Sequence, residues 1–211
     1  MQQMLPASAV YHIALAVRIL SPLDVAALRS ALQAIGDRHE SLRTVIAMDP
    51  SGELTQRVAA SCAVAFEVVE TSGLARDEID ARAIAAYRQP FGLAAGPLFR
   101  SHLFTDGGQD HLLLVNVHHL VFDVLSLVVI FTELLEIYGG TSSPRPPKCG
   151  FREFAEWQAQ MLAGPEGESH LAYWREQLAG APPVLELPVD RPRPTHANGL
   201  GGSVDSRWKP T

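Results

Sequence analysis

Cysteine, basic clusters and long apolar runs are all scarce in this chain. Its two cysteines, Cys62 and Cys149, form no Cys-x-x-Cys pair, which argues against a disulfide scaffold or zinc site and indicates a reducing compartment. No run approaches the roughly 18 apolar residues that a membrane-spanning helix needs. The N-terminus, MQQMLPAS, lacks both segments of a signal peptide. We therefore expect a soluble cytoplasmic protein without a membrane partner.

The charge distribution also bears on the class of partner. The net charge is −6, and lysine and arginine form no block that would indicate a nucleic-acid surface. A hydrophobic share of 47% and a charged share of 19% are typical of globular proteins. With 211 residues the chain can bury a core as one large or two small domains.

The first elements are predicted from periodicity and helix-start signals. Residues 9–20 are rich in Val and Ile and read as a strand. A helix follows, with Ser21 as its N-cap, Pro22 at the first helical position and Asp24 in the first turn. Its apolar stripe, spaced for a helix packed on a sheet, comprises Val25, Leu28, Leu32 and Ile35.

The middle of the chain predicts further strands and one helix. Two strands flank a Pro-Ser-Gly turn, and an Asp-Gly-Gly turn at residues 106–108 joins two more as a hairpin. The second hairpin strand is continuously apolar near its end, as in a central strand covered on both faces. The predicted strands lie at residues 44–49, 50–58, 62–70, 98–105 and 110–117, and the helix at 75–88.

The last third contains helices and a tail rich in proline and glycine. Residues 124–138 are apolar nearly all round, which predicts a deeply buried helix with Gly139 at its C′ position. Amphipathic helices follow at residues 151–162 and 169–178. Residues 181–211 have no core of their own, so we expect them to be extended, wrapped on the domain or disordered. Together the elements predict one α/β sandwich with a mixed sheet.

His118 and His119 follow the buried strand directly, in the segment VNVHHLVFDVLSL. A strand end holds its side chains rigidly at whatever crevice the fold provides. Apolar surroundings disfavour the charged imidazole, so its pKa tends to fall and it stays available as a proton acceptor near neutral pH. That is the property needed to deprotonate an attacking amine or hydroxyl.

Other readings of this segment remain open. Both histidines can be hydrogen-bonded core residues, and Asp123 is well placed to cap the helix that begins at Val124. A metal site is less favoured, because adjacent residues of a strand point to opposite faces. No Gly-x-Ser-x-Gly elbow is present, and the glycines at 107 and 108 belong to a hairpin turn rather than a phosphate loop.

Four motifs in order make the chain resemble the N-terminal half of a condensation domain of non-ribosomal peptide synthetases. The family belongs to the chloramphenicol-acetyltransferase-like superfamily. The His-His-x-x-x-Asp element is HHLVFD at residues 118–123, and RHESLRT at 38–44 matches a second motif. PFGLAAGPLFR at 90–100 precedes the hairpin, and FREFAEWQ at 151–158 with residues 173–194 matches the start of the crossover. The resemblance covers nearly the whole chain.

The resemblance implies one lobe of an α/β chloramphenicol-acetyltransferase-like two-layer sandwich, with a mixed sheet and packed helices. On this basis residues 1–180 form the N-terminal lobe, and residues 181–211 hold the crossover and the first fragment of a second lobe. The complete domain has two lobes in a V with a tunnel between them. Carrier proteins enter from either side, each with its substrate as a thioester on a phosphopantetheine arm. The upstream acyl group moves to the downstream amine, and no cofactor or metal is bound directly.

The resemblance also implies roles for individual residues. His119 matches the histidine that faces the reacting amine, as general base or by positioning it, and His118 matches a mainly structural one. Asp123 matches an aspartate that pairs with an arginine, for which Arg43 is the first choice and Arg38 the second. Such a pair would also lower the cost of burying a carboxylate in apolar surroundings.

Two departures from the family pattern stand out. Val124 replaces the usual glycine after the aspartate, and its stiff, branched side chain could narrow the tunnel, whereas Ser126 is retained. The chain also ends where a second lobe should begin, with residues 201–208 resembling its first strand, and it lacks the family's first motif. The surface facing a missing lobe would be exposed and apolar, which favours self-association or a partner.

Three functions are therefore open. The first is the N-terminal lobe of an amide-forming condensation domain, inactive as an isolated fragment. The second is an ester-forming or acyl-CoA-using acyltransferase of the same superfamily, and the third is a catalytically silent module that docks carrier proteins. A heterocyclising relative is disfavoured because it would carry aspartate in place of His118.

Overall fold

Four strands of the chain form one mixed sheet. The computed structural model describes residues 8–141, 149–182, 188, 189 and 192. The sheet order is β1-β6-β5-β4, in which β6 pairs antiparallel with both neighbours and β4 pairs parallel with β5. β2 and β3 form a separate antiparallel pair. In chain order the strands are β1 (His12–Ile19), β2 (Thr44–Met48), β3 (Leu54–Val58), β4 (Ala65–Glu70), β5 (Phe99–Thr105) and β6 (His111–His118).

Helices account for the remaining regular structure of the described residues. The chain divides into two compact units, Met1–Ala159 and Gln160–Thr211. No helix of the described part is long and apolar enough to cross a membrane. The helices are α1 (Val25–Arg38), a 3-10 turn (Glu40–Arg43), α2 (Arg76–Arg88), α3 (Val124–Tyr138), α4 (Phe151–Ala163) and α5 (Pro165–Gln177). α5 begins four residues before its predicted start, because Pro165 suits the first helical position.

The main core lies between the sheet and helices α1 and α3. The predicted α1 stripe is correct, since Leu28, Leu32 and Ile35 are buried against Leu103 and Val115 of the two central strands. The intervening strand residues face the other way, as the two-residue period of a strand requires. A smaller cluster on that second face packs α2 against Phe104 and Leu114. The predicted mixed sheet with packed helices is confirmed, and the sheet carries helices on both faces.

The start of α1 differs from the prediction. The helix begins at Val25 and its N-cap is Asp24, whose carboxylate accepts a hydrogen bond from the Ala27 amide at 2.9 Å. Ser21 and Pro22 therefore precede the helix and do not cap it. Asp, Ser and Asn are about equally good N-caps, so the sequence offered two competing start signals, and the later one is used.

The prediction that α3 is deeply buried is wrong. Within the described residues, only Ile130 and Leu134 of this helix are buried, and they face α1 and the sheet. Five apolar residues are exposed on the rest of the surface: Val124, Leu125, Val128, Val129 and Leu135. Composition alone did not distinguish a helix that is buried on all sides from one that packs a single row of residues against the core.

The C-terminus of α3 is set by Gly140 rather than by Gly139. Gly139 has a helical backbone and is the C-cap, whereas Gly140 has a φ of 68° in the left-handed region. The amides of Gly140 and Thr141 donate to Ile137 and Glu136, which completes a Schellman motif. Residues 142–148 lie outside the described residues. Most of the Pro/Gly-rich segment at 181–211, including the strand suggested at 201–208, lies outside them too.

Two adjacent leucines of α3 test this packing. Leu134 is 3% exposed and Leu135 is 69% exposed. Leu134→Ala should lower the free energy of unfolding by about 2–5 kcal/mol, because it leaves a cavity in the core. The matched variant Leu135→Ala should change it by at most about 0.5 kcal/mol. Urea unfolding of both variants measures the difference, and similar losses would contradict the assigned orientation of α3.

Candidate active site

Two consecutive backbone amides at the end of β6 donate hydrogen bonds to chain segments on opposite sides of the strand. The amide of His118 donates to the Leu98 carbonyl at 2.9 Å, and that of His119 donates to the Tyr11 carbonyl at 2.8 Å. The strand is thereby held on both sides, and its consecutive side chains must point to opposite faces. His118 is fully buried and His119 is exposed, which agrees with their positions on opposite faces.

His119 lines a cleft of about 400 Å³ in the first unit. Asp123 and Ser126 line it from the start of α3, and Glu40 from the 3-10 turn. Its apolar lining residues are Ile46, Val58, Leu120, Val121, Phe122 and Phe151. Apolar walls with a few convergent polar groups are typical of ligand-binding clefts. Within the described residues, no group of three or more His, Cys, Asp or Glu side chains could hold a metal ion.

Asp123 and Ser126 form a reciprocal cap at the N-terminus of α3. The Asp123 carboxylate accepts hydrogen bonds from the amide and the hydroxyl of Ser126, both at 2.7 Å. The Ser126 hydroxyl oxygen in turn accepts from the Asp123 amide at 3.3 Å. The Ser126 hydroxyl, followed by its amide, lowers the pKa of Asp123. The capping role of Asp123, one of the alternatives left open by the sequence, is present in the structure.

The expected pairing of Asp123 with Arg43 or Arg38 is not formed. Asp123 is exposed, so it does not carry the burial cost that would demand a cationic partner. Arg43 donates to the Ala59 carbonyl and lies 3.6 Å from Glu40. Arg38 pairs instead with Glu133 of α3 at 3.1 Å.

Glu133 links the second sequence motif to α3. Its carboxylate contacts the Arg38 guanidinium at 3.1 Å and the His39 imidazole at 2.7 Å. All three side chains are about four-fifths buried between the end of α1 and the middle of α3. The RHESLRT motif therefore anchors the helix that follows the two histidines. The sequence reasoning missed Glu133, although an acidic residue within so apolar a helix was a visible signal.

His118 occupies an aromatic and polar pocket on the face covered by α2. Its ring lies 6.0 Å from that of Phe91 and 6.2 Å from that of His12. Burial, with smaller contributions from the nearby His12 and His119, lowers the pKa of His118. Burial also lowers the pKa of His12. The neutral, buried imidazole anticipated from the sequence is thus that of His118.

Val124 lies outside the cleft. It is the first residue of α3 and is 70% exposed, and it is not among the residues of this chain that line the cleft around His119. A narrowing of this cleft by its branched side chain is therefore not observed. Ser126, two residues later, does line the cleft.

Replacing Asp123 separates the capping role from a charge-pairing role. Asp123→Ala should lower the free energy of unfolding by about 0.5–2 kcal/mol, because it removes the cap of α3. Asp123→Asn should have little effect, since asparagine is an equally good N-cap without a charge. Thermal unfolding of both variants near pH 7 makes the comparison. An equal loss in the two variants would show that the carboxylate charge, rather than the cap, stabilises the structure.

The buried histidines predict acid destabilisation. Burial lowers the folded-state pKa of His12, His102 and His118 below the ordinary value of 6.5. The unfolded chain then binds more protons, so their contribution to stability is present above pH 6.5 and is lost as the pH falls below it. The urea midpoint should therefore drop between about pH 7.5 and about pH 5.5, the range in which histidines titrate. It should stay level between about pH 7.5 and 8.5, and a flat profile throughout would contradict the assignment.

The proteins similar to this chain include a peptide synthase and two proteins of known structure. A linear gramicidin synthase from Brevibacillus parabrevis is 38% identical over 95% of this chain and 3% of that protein. The X-domain from teicoplanin biosynthesis, solved in complex with OxyB, is 30% identical with a TM-score of 0.75, over 89% of this chain and 42% of that chain. SgcC5 of Streptomyces globisporus is 27% identical with a TM-score of 0.70, over 88% and 43%.

The chain thus spans 42–43% of the two solved chains and 3% of the synthase. The family described as Condensation domain matches residues 1–208. The match includes the cleft around His119 and the anchoring motif at residues 38–44. The predicted resemblance is therefore confirmed, and the chain belongs to the condensation domain family.

Proposed function

We propose that this chain supplies the histidine-bearing lobe of an amide-forming condensation domain. In the complete domain, an acyl or peptidyl thioester on one carrier protein is transferred to the amine of an aminoacyl group on a downstream carrier protein. The observation that carries the proposal is the position of His119, exposed in a cleft whose polar lining includes Asp123 and Ser126. Membership of the condensation domain family supports it.

The proposed step assigns different tasks to the two histidines. The amine nitrogen attacks the thioester carbonyl, an amide bond forms, and the carbon–sulfur bond breaks to release the thiol of the carrier arm. His119 positions the amine or accepts its proton, which requires an accessible ring nitrogen at the reacting atom. His118 is buried and supports the backbone that presents His119. Asp123 and Ser126 begin α3 at the wall of the cleft, and Arg38 anchors α3 through Glu133.

The partners follow from the same proposal. The substrates would arrive on phosphopantetheine arms of carrier proteins, and no cofactor would be bound directly. A second lobe of the same domain, or a second copy of this chain, would cover the exposed apolar surface of α3, because such patches mark interaction surfaces. We place this assembly in the cytoplasm.

Two neighbours favour specific alternatives. SgcC5 was solved with (R)-(-)-1-(2-naphthyl)-1,2-ethanediol, so an alcohol acceptor and an ester product are the second candidate. The X-domain in complex with OxyB supports a third candidate, a catalytically silent docking module. One acyl donor assayed against paired amine and alcohol acceptors separates the first two candidates. Product from neither acceptor, together with binding of the loaded carrier, identifies the third.

Replacing His119 in the complete parent protein tests the proposed role. His119→Ala should lower the rate of amide formation from two loaded carrier proteins by about 10²–10⁴-fold, the contribution typical of a general acid or base. The control is His170→Ala, which alters an exposed histidine of α5 that does not line the cleft. Unchanged product formation in the His119 variant would overturn the proposal and favour the silent module.

The 211-residue chain by itself should form little or no amide. His119 is exposed, and a site open to water loses both substrate orientation and desolvation. The measurement is single-turnover product formation from loaded carrier proteins, with the parent protein as the positive control. Robust turnover by the chain alone would contradict the requirement for further residues.

A further inference from the structure

A cluster of buried polar side chains lies behind the two histidines, on the sheet face covered by α2. His12 of β1 pairs directly with His118 of β6, and Asn116 lies two residues earlier on the same strand and therefore on the same face. These three side chains are 7%, 0% and 0% exposed. Tyr87 and Phe91 cover the cluster, with their rings 5.8 Å and 4.8 Å from that of His12.

Hydrogen bonds to the backbone define the protonation of this cluster. His12 Nδ1 lies 2.9 Å from the Tyr87 carbonyl oxygen, which can only accept, so this nitrogen carries a proton. Asn116 Nδ2 donates to the same carbonyl at 3.0 Å. The Leu120 amide donates to His118 Nδ1 at 3.1 Å, so in the neutral ring the proton lies on Nε2. The two histidines therefore hold opposite tautomers.

Three polar atoms of the cluster have no hydrogen-bond partner among the described residues. They are the buried atoms His12 Nε2, Asn116 Oδ1 and His118 Nε2. The first two are acceptors and the third is a donor. No hydrogen bond joins the two imidazoles, whose centres are 6.2 Å apart. Leaving a buried polar group without a hydrogen bond is unfavourable, so a group able to satisfy all three atoms would be favoured.

We infer that one buried water molecule binds between His12, Asn116 and His118. Its two hydrogens would be donated to His12 Nε2 and Asn116 Oδ1, and its oxygen would accept the Nε2–H of His118. Three hydrogen bonds are the usual number for a buried water. This water would complete the set of bonds that keeps His118 neutral and in one tautomer, next to the residue that lines the cleft. The inference concerns the fold and does not depend on the proposed function.

The lowered pKa values of both histidines agree with this assignment, since a charged ring at either position would break the pattern of donors and acceptors. The charged group that faces the cluster from β5 is Arg100. It stacks over the Phe91 ring at 4.0 Å and contributes to lowering the pKa of His12. A cationic neighbour disfavours a metal cation or a protonated water at the same place and leaves neutral water as the suitable ligand.

A crystal structure of the chain that resolves ordered waters tests the inference directly. The expected result is one water within hydrogen-bond distance of His12 Nε2, Asn116 Oδ1 and His118 Nε2. Nitrogen-15 spectra of histidine-labelled chain at about pH 7.5, above the usual histidine pKa, should show His12 protonated at Nδ1 and His118 at Nε2. A dry cluster, a direct hydrogen bond between the two imidazoles, a metal ion or a charged His118 would overturn it.

Two substituted chains test the proposed water in solution. Asn116→Leu removes the Oδ1 acceptor, together with the Nδ2 donor to the Tyr87 carbonyl, at similar volume. It should cause loss of the water and faster solvent exchange of the His118 Nε2–H. The matched control is His102→Phe, which alters another buried histidine on the same face, 5% exposed and outside the cluster. That control should leave the His118 signal unchanged. If Asn116→Leu does not fold, the crystal structure and spectra of the unsubstituted chain still decide. An unchanged His118 signal in folded Asn116→Leu would overturn the inference.

Discussion

The geometry of the site depends on β6 being hydrogen-bonded on both sides up to its last residue. The His118 amide is bound to the Leu98 carbonyl and the His119 amide to the Tyr11 carbonyl, so the strand cannot twist out of register where it ends. With the strand fixed in this way, the His118 side chain points to the sheet face covered by α2, and the His119 side chain points to the opposite side. A slip of one residue would exchange the two imidazoles and bury the one that lines the cleft.

The turn after β6 fixes the position of α3, which forms part of the cleft wall. The His118 ring accepts from the Leu120 amide and its carbonyl accepts from the Val121 amide, so the buried histidine itself closes the turn. Asp123 then starts α3 by capping it with Ser126. The ion pairs of Glu133 with Arg38 and His39 hold α3 against α1. Residues far apart in the sequence thus secure both ends of the segment that carries His119.

How much of this could be predicted from the sequence differs between residues. The strand period predicted that His118 and His119 point to opposite faces, and the four motifs identified the family, because both signals are local and ordered along the chain. The partner of Asp123 could not be predicted in the same way, since three acidic and two basic residues compete and the tertiary structure decides which of them meet. Asp123 is exposed and caps α3, Arg38 pairs with the buried Glu133, and Arg43 lies beside Glu40, its neighbour three residues earlier. His12 and Asn116 were equally visible as polar residues within apolar strands, but their convergence depends on strand register.

The exposed apolar residues of α3 show that a hydrophobic helix need not be fully buried. A helix buried all round and a helix with one face on its own core and another on a partner have similar composition, and only the tertiary structure separates them. Here Ile130 and Leu134 form the inner stripe, while Leu125 and Val128 lie on the opposite side in solvent. Exposed residues of this kind contribute little to the stability of the lobe, so packing within it does not explain why they are apolar. We propose that they form an interaction surface beside the cleft, because α3 begins at the cleft wall with Asp123 and Ser126.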